Sequence, residues 1–111
     1  MAKLAPMHPG EVLREEFLVP LGLKPYSVAK MLDIPRTRIE RIAAEEIGIT
    51  ADTALRLGKL FGTSADFWLN LQSRYDMLMA QKKIGRELSK IKPAIETRVA
   101  GVRLSAGSIA D

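Results

Sequence analysis

Three features of the 111-residue chain predict an all-α protein. Apolar residues recur at spacings of three and four, no stretch alternates with period two for long, and proline or glycine interrupts the pattern at short intervals. The expected architecture is a run of short helices, then one longer helix, then a tail. Residues 1–92 read as a single domain, because a chain of this length has room for one core. Periodicity fades from Pro93 onward, so residues 93–111 read as a mobile C-terminal tail.

The first helix starts after Pro9-Gly10, presents Val12, Leu13, Phe17 and Leu18 on one face, and is stopped by Pro20 and Gly22. Pro25 opens the second, since a proline in the first turn gives up no intrahelical hydrogen bond. Its apolar side carries Val28, Ala29, Met31 and Leu32, and Asp33 closes it. Pro35 opens the third, with Ile39 and Ile42 inward and Arg36, Thr37, Arg38, Glu40 and Arg41 outward. After Gly48, Thr50 is placed to cap a fourth helix with Asp52 in its first turn, where a negative charge suits the helix dipole. That helix carries Ala54, Leu55, Leu57, Leu60 and Phe61 and ends at Gly62. Thr63 with Asp66 has the spacing of a capping box for the fifth helix, which runs through Phe67, Trp68, Leu71, Tyr75 and Leu78. Gly85 is either its C-cap or a weak point in a helix reaching Pro93.

Composition narrows the function. The absence of cysteine removes disulfides and thiolate chemistry. His8 is the only histidine and has no carboxylate cluster around it, so no metal site is expected and a local capping role is. Glu15 and Glu16 are adjacent on a helix and point apart, which is no arrangement for acid–base catalysis. No glycine-rich phosphate loop or nucleophile–base set is present, so neither an enzyme, a cofactor nor a small-molecule substrate is expected. No apolar run approaches the roughly 18 residues of a membrane span and no signal segment is recognisable, so a cytoplasmic location is expected. The net charge of +4 is unevenly spread. Residues 24–41 set Lys24, Lys30, Arg36, Arg38 and Arg41 against Asp33 and Glu40, a net of +3. Such a localised basic zone fits an anionic partner.

The second and third helices give that zone a shape. A helix-turn-helix needs a small residue where its helices touch, a residue tolerant of left-handed backbone at the turn, and a branched apolar residue seating the second helix. Ala29, Asp33 and Ile39 stand at those places, which puts the motif at about residues 25–44. A recognition helix docked in the major groove of double-stranded DNA presents its N-terminal residues to base edges. Arg36, Thr37 and Arg41 are the expected base contacts, arginine bridging guanine O6 and N7 and threonine meeting a base edge or a thymine methyl. Lys24, Lys30 and Arg38 are the expected phosphate contacts, and the free N–H groups at the helix start add to them.

The blocks HPGEVLREEFLVPLGL at 8–23, IPRTRIERI at 34–42 and GITADTALRLGKLFGTSADFWLNLQSRYD at 48–76 resemble the HigA-type antitoxins, a branch of the Xre, or lambda-repressor-like, helix-turn-helix group. The resemblance covers about residues 8–80. It implies a five-helix lambda-repressor-like DNA-binding domain with a longer last helix, homodimerisation, repression of its own operon at a palindromic operator, and neutralisation of a HigB-type mRNA-cleaving toxin. It also implies that Phe67, Trp68, Leu71 and Tyr75 build the last core helix and a dimer contact. One block departs from the family. Where relatives show a polar, basic stretch, this chain has Ala43-Ala44-Glu45-Glu46-Ile47, whose two acids are expected to sit in solvent and to weaken a phosphate contact. Two other readings stay open on the sequence: a stand-alone helix-turn-helix transcriptional regulator, or a toxin-binding module with little DNA binding.

Overall fold

A computed structural model of the chain describes residues 6–95, and the regular structure there is entirely helical. Five helices follow one another: α1 over residues 9–21, α2 Pro25–Leu32, α3 Arg36–Ala43, α4 Ala51–Phe61 and α5 Ala65–Ser89. The expected tail lies, from residue 96 onward, outside the described residues. Among the described residues no helix is long and apolar enough to cross a membrane.

Helix α1 corrects one expectation from the sequence. It starts as expected, with His8 as N-cap: the Gly10 N–H donates to His8 Nδ1 at 2.9 Å, and Pro9 fills the first turn. Pro20, however, does not stop it. Residues Leu13–Leu18 wind as a π-helix, and the Val19 N–H reaches back five residues to the Arg14 carbonyl. The wider turn absorbs a proline that has no N–H to give and whose ring would crowd an α-helical carbonyl. The helix continues through Val19–Leu21 and ends at Gly22.

The four short helices end by the same device. A residue in the left-handed region follows the last turn, and its N–H and that of the next residue fold back onto carbonyl groups of the helix's end. Gly22 and Gly62 take this place after α1 and α4, with φ of 65° and 74°. Asp33 and Glu45 take it after α2 and α3, with φ of 58° and 64°. Behind α2, Asp33 N–H donates to Lys30 O at 3.2 Å and Ile34 N–H to Ala29 O at 3.0 Å. Behind α3, Glu45 N–H donates to Ile42 O at 2.9 Å and Glu46 N–H to Arg41 O at 2.8 Å.

Leu13, Val28, Ile39, Ile42, Ala54, Leu57 and Trp68 are wholly buried and bring all five helices to one core. Phe17 leans on Phe61 at 4.7 Å and on Trp68 at 5.2 Å between ring centres. The indole N–H of Trp68 donates to Thr63 Oγ1 at 2.9 Å, so this large side chain is buried without an orphaned donor. Two residues expected on the inner faces lie outside: Met31 is 52% exposed and Leu55 64%. Each sits roughly 100° or more round its helix from the centre of the buried stripe, and short helices bury only a narrow stripe.

The start of α5 holds another correction. Ser64, not Thr63, is the N-cap, its hydroxyl accepting from the Phe67 N–H at 3.0 Å, because Thr63 is engaged by Trp68. Gly85 is not a C-cap. The helix bends at Ile84, whose φ and ψ of −115° and 21° are not helical, and resumes to Ser89. The glycine next to the bend marks the weak point that the alternative reading allowed.

Candidate nucleic-acid interface

Helices α2 and α3 are joined by Asp33-Ile34-Pro35, and Ala29, 2% exposed, lies where they meet. Pro35 caps α3 without a side-chain hydrogen bond; the Arg38 N–H turns back to the Pro35 carbonyl at 3.1 Å, which leaves the N–H groups of Arg36 and Thr37 open to an outside acceptor. Ile39, Ile42 and Ala43 are buried and fix how α3 is rolled. At about 100° per residue the opposite line falls between Thr37 and Arg41, with Arg36 and Glu40 on one flank and Arg38 on the other. Thr37 and Arg41 therefore form the centre of the solvent-facing surface of α3, and Arg36 and Arg38 flank it on opposite sides. Lys24 and Lys30 stand apart on α2, one at its N-cap and one in its last turn, with the Lys30 ammonium 5.9 Å from the centre of the Tyr26 ring.

Each arginine on that surface holds an acid. Arg36 Nε lies 3.2 Å from Glu40 Oε2, Arg41 Nε 3.5 Å from Glu46 Oε1, and Arg38 Nη1 3.3 Å from Asp52 Oδ1. Glu45 pairs with Arg14 at 3.1 Å. Glu45 and Glu46 are exposed to solvent, as expected, and each carboxylate also has a cationic partner. Exposed pairs of this kind contribute about 0–1 kcal/mol, so a phosphate or a base edge can compete for the arginines. Asp52 is the most constrained of the acids. Its hydrogen bond from Arg56, at 2.6 Å, and then Arg38 hold its carboxyl below the usual carboxylate range.

No family model matches the chain. A protein of Dichelobacter nodosus called virulence-associated protein I is 53% identical over 76 residues, covering 68% of this chain and 70% of the relative. Among solved structures, Pseudomonas aeruginosa antitoxin HigA with the higBA promoter is 42% identical, with a TM-score of 0.78 over 81% of this chain and 99% of that one. The chain belongs to the HigA-type antitoxin family of helix-turn-helix proteins. Antitoxin GraA in complex with its operator is also similar, at 34% identity and a TM-score of 0.79 over 86% of this chain and 98% of that one.

Two arginines of this HigA-type chain hold the helix-turn-helix in place and were missed from sequence. Arg14, on α1, donates through Nη1 to the carbonyl of Ala43 at the end of α3, and Arg56, on α4, donates to the carbonyl of Leu32 at 2.7 Å at the end of α2. A cation at a helix C-terminus satisfies a free carbonyl and complements the dipole. Hydrogen bonds to Glu15 and then Glu45 raise the Arg14 pKa above its ordinary value, so it stays charged. Partners 29 and 24 residues apart leave no spacing signal. The loop before α4 is pinned likewise: the Ile49 N–H donates to Gln72 Oε1 of α5 at 2.6 Å.

The four residues of α5 expected at a dimer contact do not act alike in this HigA-type fold. Trp68 is wholly buried within its own protomer, so its side chain has no surface to offer a second copy. Phe67 is 38% exposed, and Leu71 and Tyr75 are half-buried, Tyr75 meeting the His8 ring edge-on at 4.8 Å.

Proposed function

We propose that this chain is an operator-binding antitoxin that acts as a homodimer. It reads a palindromic site in its own promoter, represses the operon, and neutralises a HigB-type mRNA-cleaving toxin. On this reading it is not an enzyme and works in the cytoplasm. Arg36, Thr37 and Arg41 contact bases and Lys24, Lys30 and Arg38 contact phosphates. The observation that carries the proposal is the surface of α3. Four polar residues that suit a major groove face outward from a helix whose roll is fixed by three buried residues and whose end is held by Arg14. Membership of the HigA-type family, with relatives solved on promoter and operator DNA, supports the same reading. The partly exposed side of α5 that carries Phe67, Leu71 and Tyr75 supports pairing of two copies.

A duplex covering the region upstream of the gene should bind at nanomolar protein concentration, and a scrambled duplex of equal length at least about a thousandfold more weakly. Equal affinity for the two would overturn operator reading. Co-expression with the product of the adjacent reading frame should yield a stable complex and relieve that product's growth arrest. Persistence of the arrest would overturn the antitoxin role.

A further inference from the structure

We infer that Glu40 and Glu46 are positioning residues that set how sharply Arg36 and Arg41 discriminate between DNA sequences. The inference rests on those arginines being base contacts. Both acids approach the guanidinium from the same side, through Nε: Glu40 on Arg36 at 3.2 Å and Glu46 on Arg41 at 3.5 Å. A carboxylate beside Nε leaves the two terminal amino groups unengaged, and these form the fork that can bridge guanine O6 and N7. Arg38 shows the contrast. Its pair with Asp52, an acid also tied to Arg56, uses a terminal nitrogen, Nη1, and so engages one prong of the fork.

Two effects then act in the same direction. A free arginine loses rotamer entropy when it docks on a base, and one already held at Nε loses less, which favours the operator. The carboxylates meanwhile lie beside a surface that meets phosphates, and their repulsion opposes binding to any sequence. Only a site with guanines at the right positions recovers what the repulsion removes. The acids thus strengthen discrimination and restrain attachment to random DNA.

The test measures operator and scrambled-duplex affinities for the parent, Glu40→Gln, Glu46→Gln, Arg36→Ala, Arg41→Ala and the two matched double variants. All these side chains are exposed, so melting temperatures should be unchanged, which separates an effect on reading from one on folding. Each Glu→Gln change should raise affinity for scrambled DNA while leaving operator affinity level or lower, cutting the ratio of the two about five- to tenfold. In the Arg41→Ala background, Glu46→Gln should move both affinities by the same factor, and Glu40→Gln should do so in the Arg36→Ala background. If the single Glu→Gln variants already shift both duplexes equally, or shift neither, the positioning role is wrong and the acids act only as bulk charge or not at all. If Arg36→Ala and Arg41→Ala leave the operator-to-scrambled ratio unchanged, the base-reading assignment itself fails, and that result is distinct from the first.

Discussion

Gly10 touches the reading unit through backbone alone. A methyl added there would lie 1.7 Å from the Ile42 carbonyl oxygen of α3, and backbone cannot step aside as a flexible side chain can. Gly10→Ala should therefore destabilise the fold by roughly 3 kcal/mol, since overpacking costs about 1–3 kcal/mol even where neighbours can move. A denaturant melt would show it, and an unchanged midpoint would mean that α1 and α3 do not pack as described. Arg14→Ala tests a neighbouring contact. It leaves the Ala43 carbonyl and Glu45 without their cation, and should weaken operator binding more than it lowers the melting temperature, because the groups it holds form the end of α3. Local roles at this scale were legible in the sequence. The caps at His8 and Thr50 and the turns at Asp33 and Gly62 follow from residue chemistry within a few positions. Arg14, Arg56 and Gln72 were not legible, because each meets a partner more than 20 residues away and nothing local marks it.

Helices that end alike need not be equally content with the residue at the end. Asp33 and Glu45 hold left-handed backbone that glycine holds freely, and an L-residue there costs roughly 1–2 kcal/mol, somewhat less for aspartate. Asp33→Gly should raise stability by up to about 1 kcal/mol, visible as a higher melting temperature, while Asp33→Val should lower it. A lower melting temperature for the glycine variant would show that the aspartate side chain does something beyond tolerating the turn. Element boundaries were legible wherever glycine or a capping residue stood alone. They were misread where two signals competed. Pro20 reads as a stop, but the π-turn before it makes room for the ring. Thr63 reads as a cap, but the indole of Trp68 takes its hydroxyl and leaves the role to Ser64. Both outcomes depend on how the chain is wound or packed, which residue type alone does not express.

A palindrome is read by the whole molecule only if two copies present α3 to the same face of the duplex. Such a dimer would place its recognition helices about 34 Å apart, one turn of DNA. Inserting about five base pairs between the half-sites should therefore abolish tight binding, and inserting a full turn should restore part of it only if α5 can splay. Three phosphate contacts per protomer, six per dimer, would cost roughly a thousandfold in affinity between about 50 and 200 mM salt. The five-helix architecture was legible as a string of stripes and stops, but which aromatic residues face a second copy was not. Trp68 illustrates the reason: an aromatic residue on the stripe of a long helix suits a core or an interface equally, and burial within one copy decides between them. Base reading by α3 is best examined by substituting each operator position singly and measuring affinity for the parent, Arg36→Ala and Arg41→Ala. The parent should lose roughly 1–3 kcal/mol at each contacted guanine, and each variant should lose that penalty at its own position while keeping it elsewhere. If both variants retain the parent's full profile and weaken all sequences alike, those arginines bind only the backbone and α3 does not read bases through them.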